Sequence, residues 1–528
     1  MADILITGGT VVDGTGSQGY RAAVAVSGDQ VRIVRGESLL PESKVQIDAT
    51  GLVVAPGFID LHSHSALMIQ SDPQHLPKVS QGVTTEVVGI DGNSYAPFRT
   101  PQQLRDFVDL YAGLDGRPDL SYDWTTVASL LSRFDRTVSV NIATMIGNSA
   151  LRVCAIGWDK VEANRSQIAD MRAMLREGMQ EGAFGLSTGL DYPPGCFADT
   201  EELIELADEA GRWGGFYHTH LRNTLGDRFL DPIQEAVEIG ARGTLPLHLT
   251  HLYHRATAPG GTSRIFDLID RARDRGVEVS FDTYPYEWSS TTALVRLPQW
   301  AREGGPARTV ERLKRADTRN RIRQDIESWT DYPTWVRALD HVRLGNFTQP
   351  SLREFEGRIL GELVRARAED AVDVLCDLLV AENLGLNEVS PGPSGLTLGR
   401  FITHPDGMVG SDSIFLGDRP SPRTYGTFPR ILGEMVREER RLSLPEAIRK
   451  MTSYPAQLLG ILDRGILRDG LKADIVIFDP VTVGAVGTYD NPRQLCRGIE
   501  YVLVNGEVVM ERGKHTGALA GRGLRRGR

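Results

Sequence analysis

The stretch Gly57-Phe58-Ile59-Asp60-Leu61-His62-Ser63-His64 decides how the rest of the chain is interpreted. An apolar run at residues 52–56 leads into it, and two histidines then follow two positions apart. Residues i and i+2 of an extended strand project from the same face, so both imidazoles point to one side. At the end of a strand such a pair can hold one metal ion through neutral ring nitrogens, which suits zinc and similar cations. The stretch therefore predicts a metal site at the end of a buried strand.

Length and charge restrict the class of protein. A chain of 528 residues is too long for one small core, which predicts several domains. The formal net charge of −10 argues against non-specific binding to nucleic acid or to anionic membranes. The basic run at residues 522–528 is expected to be a solvated end. We therefore expect a small-molecule partner, with no nucleic acid and no membrane, and a homo-oligomer is compatible with the sequence.

Cysteine usage and the N-terminus bear on the compartment. The four cysteines lie far apart without a CxxC spacing, which fits reduced thiols better than a disulfide framework. The N-terminus shows no basic start followed by an apolar segment, and no stretch approaches about 18 uninterrupted apolar residues. These features predict a cytoplasmic protein.

The two ends of the chain share a pattern of short β-runs separated by glycine-rich turns, at residues 1–54 and 471–528. Each end is too small to bury a core alone. We therefore predict that the two ends pack together as one β-sandwich that brackets the middle of the chain.

The middle of the chain alternates short apolar strands with helical stretches, which predicts a parallel sheet and, most simply, a closed (β/α)8 barrel. The eight strands are expected near residues 55–61, 83–88, 138–144, 183–187, 215–220, 245–251, 278–283 and 407–412. The last gap is too long for one crossover, which predicts a mostly α insertion over the barrel mouth. The predicted segments are 1–54 and 471–528 for the sandwich, 55–294 for barrel strands one to seven, 295–400 for the insertion, and 401–470 for strand eight and closing helices.

Polar residues stand at the C-terminal ends of several predicted strands. In barrels of this type the catalytic groups lie at that end. The polar residues are His62 and His64 after strand one, Asp91 after strand two, His220 at strand five, His251 at strand six and Asp412 at strand eight. Four imidazoles and two carboxylates in one mouth would be costly without a cation to gather them.

Several of these positions have competing interpretations. His218 shares the strand parity of His220 and could support the ligands from behind, while His248 and His254 are interpreted as surface or supporting groups. Asp91 also fits a turn, because Asp-Gly-Asn is a good turn sequence. A lone aspartate such as Asp412 is more often a turn or cap residue, but its Gly-Ser-Asp context after an apolar strand favours a catalytic role.

Three further motifs make the pattern specific: GLSTGLDYPPG at 185–195, FDTYPY at 281–286 and PRTYGTFPR at 422–430. With these, the chain resembles the N-acyl-D-amino-acid deacylase (D-aminoacylase) family of the amidohydrolase superfamily over essentially its full length. The resemblance implies a catalytic aspartate at Asp412 and contacts to the substrate carboxylate from Tyr284 and Arg423. It also implies metal-binding histidines at His62, His64, His220 and His251.

The chain departs from the family pattern at several positions. Asp91 stands where the family usually has a cysteine ligand, and aspartate is a harder donor that can bridge two cations. No lysine ends strand four, so Asp91 is the one bridging residue visible in the sequence. Tyr253 replaces a lysine that helps to bind the substrate carboxylate, so a free carboxylate is expected to be held less strongly. Asn148 and Ser421 replace two further histidines of the family.

These residues predict metal-assisted hydrolysis of a linear, non-peptide amide, with an N-acyl-D-amino acid as the expected substrate. One or two zinc ions, or another divalent metal, are the expected cofactor. Asp412 is predicted to be the general base, while Tyr253, Tyr284 and Arg423 are the predicted substrate contacts. The alternatives are a cyclic amide or imide, an amide without a free carboxylate, or a scaffold that has lost its chemistry. No role follows from the sequence for Glu86, an acid within a predicted strand.

Overall fold

The computed structural model describes residues 1–36, 39–223, 228–254, 261–329 and 331–527. Eight short parallel strands form the centre. They are β1 (Phe58–Asp60), β2 (Val83–Val88), β3 (Asn141–Thr144, continued by Ile146–Gly147), β4 (Gly185–Gly189), β5 (Phe216–His220), β6 (Leu247–Leu249), β7 (Val279–Thr283) and β8 (Gly407–Val409).

Each strand pairs in parallel with the next, from β1 to β8. The ring closes just beyond β1 and β8, where Ser63 bridges Ser413 and the Asp412 amide donates to the His62 carbonyl over 2.9 Å. The predicted barrel is therefore confirmed, and each predicted strand overlaps an observed one. Closure brings the carboxyl ends of all eight strands to one mouth.

The first predicted strand, 55–61, is in fact two elements. Residues Val53–Pro56 pair with Ile475–Phe478 in the sandwich, and the barrel strand begins only at Phe58. The chain passes from the sandwich to the barrel at Gly57. No larger residue fits there, because a Cβ would lie 2.2 Å from the side chain of Thr84. One apolar run thus links the sandwich directly to β1.

Both termini build the sandwich, as predicted. One sheet contains, in order, Gln30–Val34, Ala23–Ser27, Ala2–Thr7 and Ser43–Asp48. The other contains Lys514–His515, Glu507–Glu511, Ile499–Val504, Ile475–Phe478, Val53–Pro56, Thr10–Val11 and Tyr20–Arg21. Ile6 and Val24 of the first sheet share a buried core with Ile475 and Leu503 of the second.

Helices cover the barrel between its strands. Their bounds are Met68–Ser71, Leu76–Val79, Pro101–Leu110, Ala112–Asp115, Val127–Ser132, Asn148–Ala155, Arg165–Glu181, Thr200–Arg212, Asp231–Gly243, Gly261–Asp274, Arg423–Arg430, Leu444–Met451 and Ser453–Leu459, with a π-helix at Ile431–Glu438 and a 3-10 turn at Gly195–Phe197. The helix Thr200–Arg212 begins after Asp199, whose side chain caps it by accepting from the Glu202 amide. Within the described residues, every helix is too short or too polar to cross a bilayer.

The insertion before β8 is mostly helical, as predicted, but it also contains a small antiparallel sheet. Its helices are Gly305–Leu313, Ala316–Glu327, Tyr332–Ala338, Leu360–Arg367, Ala371–Ala381 and Gly395–Thr403, with 3-10 turns at Ala293–Arg296, Gln299–Arg302 and Pro350–Phe355. The sheet is formed by Trp288–Thr292, Asn387–Pro391 and Arg343–Gly345, with Asn387–Pro391 in the middle. These strands are short and polar, so no apolar alternation signals them.

The expectation of a solvated C-terminal tail is wrong. Gly523 forms a bridge with Ile142 of β3, and the Arg522 carbonyl and the Leu524 amide bond to the same residue. Arg525 pairs with Asp135 over 2.9 Å. The tail therefore packs along β3 as part of the fold.

Candidate metal centre and active site

A single carboxylate oxygen faces four imidazoles at the barrel mouth. Asp91 Oδ2 lies 3.5 Å from His62 Nε2 and 3.7 Å from His64 Nε2. It also lies 3.6 Å from His220 Nδ1 and 3.8 Å from His251 Nε2. In a tetrahedral zinc site with bonds of about 2.0–2.1 Å, ligand atoms lie roughly 3.3–3.4 Å apart. The spacing therefore fits a carboxylate that is shared by cation ligands.

The donors fall into two groups that share Asp91. His62 and His64 form one group with it, and His220 and His251 form the other, with candidate ligand atoms within 4.8 Å of one another in each group. His62 Nε2, which faces this group, and Oδ1 of Asp91 are buried without a hydrogen-bond partner. Buried polar atoms without partners are costly, and a divalent cation would satisfy them. The structure thus brings all five predicted ligands together, and their donor set fits zinc.

Asp412 lies beside both groups. Its Oδ1 is 3.4 Å from His64 Nε2 and 3.6 Å from His62 Nε2, and its Oδ2 pairs with Arg423 Nη2 at 2.9 Å. Burial disfavours the carboxylate, but the adjacent Arg423 guanidinium favours it, and the pKa of Asp412 is held below its ordinary value. The carboxyl group is therefore ionised and able to accept a proton.

Three of these residues have left-handed backbone conformations, with φ of 52° at Asp91, 34° at His251 and 48° at Asp412. Such angles are uncommon outside glycine and cost about 1–3 kcal/mol each. Hydrogen bonds offset part of this cost, since the His251 amide donates to Asp282 Oδ1 at 2.8 Å. The strained turns place side chains just past the strand ends in the mouth.

A cavity of about 510 Å³ opens above the centre. Its barrel side includes His64, Asp91, His220, His251 and Asp412, and its opposite side is formed by the insertion, including Val295, Arg296, Trp329, Trp335 and Glu388. Its size suits a small molecule.

The match to the amidohydrolase family model covers residues 46–510. The chain belongs to the amidohydrolase family. It is 33% identical to a D-aminoacylase of Alcaligenes xylosoxydans xylosoxydans over 99% of this chain and 98% of the relative. It is 34% identical to an N-acyl-D-glutamate deacylase of the same organism over 96% of this chain and 93% of the relative. The solved structure of the N-acyl-D-glutamate deacylase of Bordetella bronchiseptica, complexed with zinc and a phosphonate inhibitor, matches with a TM-score of 0.82 at 31% identity over 99% of both chains.

These findings confirm the family, the barrel fold and the enzyme class expected from the sequence. The protein is a hydrolase of carbon–nitrogen bonds other than peptide bonds. The segment boundaries and the roles of individual residues stay predictions.

The histidines of this amidohydrolase are held from behind by carboxylates that the sequence did not single out. Asp115 Oδ1 lies 2.6 Å from His64 Nδ1, and the Tyr95 hydroxyl donates to Asp115 Oδ2 over 2.7 Å. Asp191 Oδ2 lies 3.0 Å from His220 Nε2. A carboxylate on the far nitrogen fixes the tautomer and leaves the near nitrogen free for a cation.

Asp282 is a third supporting carboxylate, and two of the three lie in motifs of the sequence. Asp191 lies in the motif at 185–195, and Asp282, 3.4 Å from His62 Nδ1, lies in the motif at 281–286. Asp115 ends a four-residue helix and carries no comparable signal.

His218 and His248 stack behind the ligands, with ring centroids 5.3 Å apart. His248 is fully buried with its Nε2 3.0 Å from Asp282, so it is a supporting group and not a surface residue. Burial holds the pKa of His218 well below its ordinary value, which keeps this ring neutral. His254 is half-buried, and its carbonyl accepts from the Ser394 amide at 3.3 Å.

Two of the three predicted substrate contacts line the cavity, and the third, Arg423, is buried against one of them. Tyr253 and Tyr284 line the cavity, with ring centroids 6.3 Å apart. Arg423 is fully buried against Tyr284, with its guanidinium carbon 4.4 Å from the ring centroid. Its Nη2 is paired with Asp412, while its Nε and Nη1 have no hydrogen-bond partner. The guanidinium thus supports Asp412 directly.

Glu86 belongs to a buried polar network beneath the centre. It accepts from the Ser63 hydroxyl at 2.7 Å and lies 2.7 Å from His75 Nε2. Lys78 is equally buried, pairs with Asp60, and donates to the hydroxyls of Ser411 at 2.8 Å and Ser413 at 3.2 Å. These serines alternate with His62, His64 and Asp412 along the strand ends. The network therefore anchors the opposite face of the segments that carry the site.

Proposed function

We propose that this amidohydrolase removes the acyl group from N-acyl-D-amino acids, using one or two divalent cations. The observation that carries the proposal is the single oxygen of Asp91 facing four histidines, next to an ionised Asp412 at the floor of a small-molecule cavity. The substrate class is supported by the curated relatives, which are named for the deacylation of D-amino acids.

The proposed cation ligands are His62, His64, Asp91, His220 and His251, and their nitrogen and oxygen donors suit zinc. When bound, such a cation lowers the pKa of a coordinated water towards neutrality and polarises the amide carbonyl. Asp115 and Asp191 would orient His64 and His220 for this binding.

Asp412 is the proposed general base. It would take a proton from the attacking water and return it to the nitrogen of the leaving amine. Its pairing with Arg423 supports this role, because the pair keeps the carboxyl group ionised until a proton is delivered.

Arg423 and Tyr284 are the proposed contacts for the anionic group of the substrate. The two guanidinium nitrogens without partners, Nε and Nη1, can donate to a carboxylate. Tyr253, which lines the same cavity in place of a lysine, can add a hydroxyl donor but no charge.

That same Tyr253 favours a second candidate. Without the positive charge of a lysine at the position that binds the substrate carboxylate, the enzyme can accept a cyclic amide or imide, or an amide without a free carboxylate. We also propose a cytoplasmic location, since the four cysteines are free thiols.

Hydrolysis assays on N-acetyl-D-amino acids, their L-enantiomers, their amides and cyclic imides test the proposal. We expect turnover of the D-acids, loss of turnover after chelation and recovery after zinc is added back. Turnover confined to cyclic imides or to amides would contradict the proposed substrate and support the second candidate. Full activity in metal-free protein would contradict the proposed chemistry.

A further inference from the structure

The cavity has a second wall, away from the proposed cation ligands, that is built by the insertion. Here Arg296 Nε lies 2.7 Å from Glu388 Oε2, and Arg296 Nη2 lies 2.8 Å from Glu388 Oε1. Both side chains are mostly buried, with exposed fractions of 12% and 2%. This two-point contact is the strong form of an arginine–carboxylate pair and leaves no net charge.

The insertion side of the cavity mixes apolar with small polar side chains and holds one further acid. Val295, Trp329, Trp335 and Ala338 line the same part of the insertion, and Asp331 adds a carboxylate. Among the lining residues that the structure describes, Arg296 is the one arginine or lysine. This wall therefore has no positive charge in excess.

Glu388 is held rigidly in place. It lies on Asn387–Pro391, the middle strand of the insertion sheet, where it is paired with Thr291 on one side and Leu344 on the other. The Ser390 hydroxyl lies 3.4 Å from its Oε1. Because the strand is paired on both edges, the backbone of Glu388 is fixed, and the two-point contact with Arg296 holds the carboxylate against the guanidinium.

We propose that Glu388 determines specificity: by neutralising Arg296 it makes this amidohydrolase select N-acyl-D-amino acids with uncharged, apolar side chains and reject those with acidic side chains. The inference rests on the proposed function and names the substrate side chain. An acidic side chain in this wall would meet a guanidinium whose charge is already balanced and would lie beside two like charges, Glu388 and Asp331. An apolar side chain would pack against the two tryptophans.

The test compares kcat/KM for N-acetyl-D-leucine and N-acetyl-D-glutamate in the wild-type enzyme and in Glu388→Gln. The wild-type enzyme should prefer the leucine substrate by about 100-fold or more. Glu388→Gln keeps the shape of the side chain but unmasks Arg296, and should raise kcat/KM for the glutamate substrate by about 10-fold or more, mainly through KM. Adding Arg296→Met to this variant should abolish the gain.

Glu382→Gln is the matched control, because Glu382 is another insertion glutamate that is 2% exposed, and it bonds Thr348 and Gln349 outside the cavity. It should leave the leucine-to-glutamate ratio unchanged. A wild-type enzyme that prefers the glutamate substrate, or a folded Glu388→Gln variant with an unchanged ratio, overturns this inference and leaves the proposed function standing. The wild-type ratio needs no variant, so it decides even if Glu388→Gln does not fold. Absence of turnover with every N-acyl-D-amino acid overturns the proposed function and this inference with it.

Discussion

At the scale of single residues, the position of one oxygen organises the barrel mouth. Asp91 Oδ2 lies within 3.8 Å of nitrogens from four different histidines. An aspartate in a good turn sequence is commonly only a turn residue, and here the turn itself, with φ of 52°, turns the carboxylate inward. The turn and the ligand interpretations of this residue are therefore compatible.

Replacing Asp412 tests the proposed proton transfer. Asp412→Asn keeps the size of the side chain and its contact with Arg423 but cannot accept a proton. We expect kcat to fall by about 10²–10⁴-fold while the metal content is unchanged, because general base catalysis contributes that much. Steady-state assays with elemental analysis of the same sample measure both quantities. Wild-type turnover in this variant would refute the role.

Replacing Asp115 tests how His64 is oriented. Asp115→Asn removes the negative charge of the acceptor for His64 Nδ1, and we expect zinc affinity to fall by about 10–100-fold at the position that uses His64. Competition titration with a chromophoric chelator measures it. Asp109→Asn is the control, since Asp109 lies nearby in sequence but pairs with Arg117 and is 38% exposed. Equal affinities in both variants would show that Asp115 has no positioning role.

At the scale of elements, the strand ends are predictable from the sequence, and the groups that support them are predictable only where they lie in a motif. An apolar run followed by a polar residue locates β1, β5, β6 and β8 and the site residues after them, because short apolar runs are typical of buried parallel strands. The roles of Asp115 and Glu388 are not predictable from the sequence, since a four-residue helix and a polar antiparallel strand carry no periodic signal. Glu86 was visible, but its partners His75 and Lys78 lie on an adjacent connection that only the fold brings near.

The network around Glu86 should be essential for stability. Its partners include His75, Lys78 and Ser63, all buried. Glu86→Gln leaves Lys78 and His75 without that charge, so we expect the free energy of unfolding to fall by about 3–5 kcal/mol. Urea unfolding at pH 7 measures the change. The exposed Glu205, paired with Arg172, is the control, and Glu205→Gln should cost no more than about 1 kcal/mol. Similar costs in the two variants would contradict the network.

The same network predicts a pH dependence. Burial would raise the pKa of Glu86, but His75 and Lys78 outweigh it and lower the pKa from 4.5 to about 2. The contribution of Glu86 is therefore full above about pH 4.5 and is lost as the pH falls towards 2, because the unfolded chain takes up the proton first. Acid unfolding of Glu86→Gln should be less steep across that interval than that of the wild type. Parallel curves would contradict the assignment.

At the scale of the whole molecule, the two ends of the chain support the barrel from different sides. The sandwich leads directly into β1, and the C-terminal tail packs along β3. The arginines of the tail predict a solvated segment, whereas its glycines allow the close packing that the structure shows. A Cβ at Gly521 would lie 2.1 Å from the Val140 carbonyl, and one at Gly523 would lie 2.2 Å from the Leu131 carbonyl.

Removal of residues 521–528, so that the chain ends at Ala520, should therefore destabilise the protein. Loss of the backbone hydrogen bonds from the tail to Val138, Ile142 and Gly182 should cost roughly 2–4 kcal/mol. Thermal unfolding of the truncated chain measures it. Arg525→Ala, which removes a partly exposed ion pair with Asp135 and a hydrogen bond to the Gly523 carbonyl but keeps the backbone of the tail, is the control and should have little effect. An unchanged unfolding temperature after truncation would show that the tail is dispensable.

The central claim is that histidines from β1, β5 and β6 and their loops meet a shared carboxylate to hold a catalytic cation. Anomalous diffraction at the zinc edge, on crystals of the active enzyme, tests it most directly. We predict one or two peaks within bonding distance of Asp91, each also bound by at least two of the four histidines. An active enzyme with no peak at Asp91, or with its zinc held elsewhere, would contradict the account.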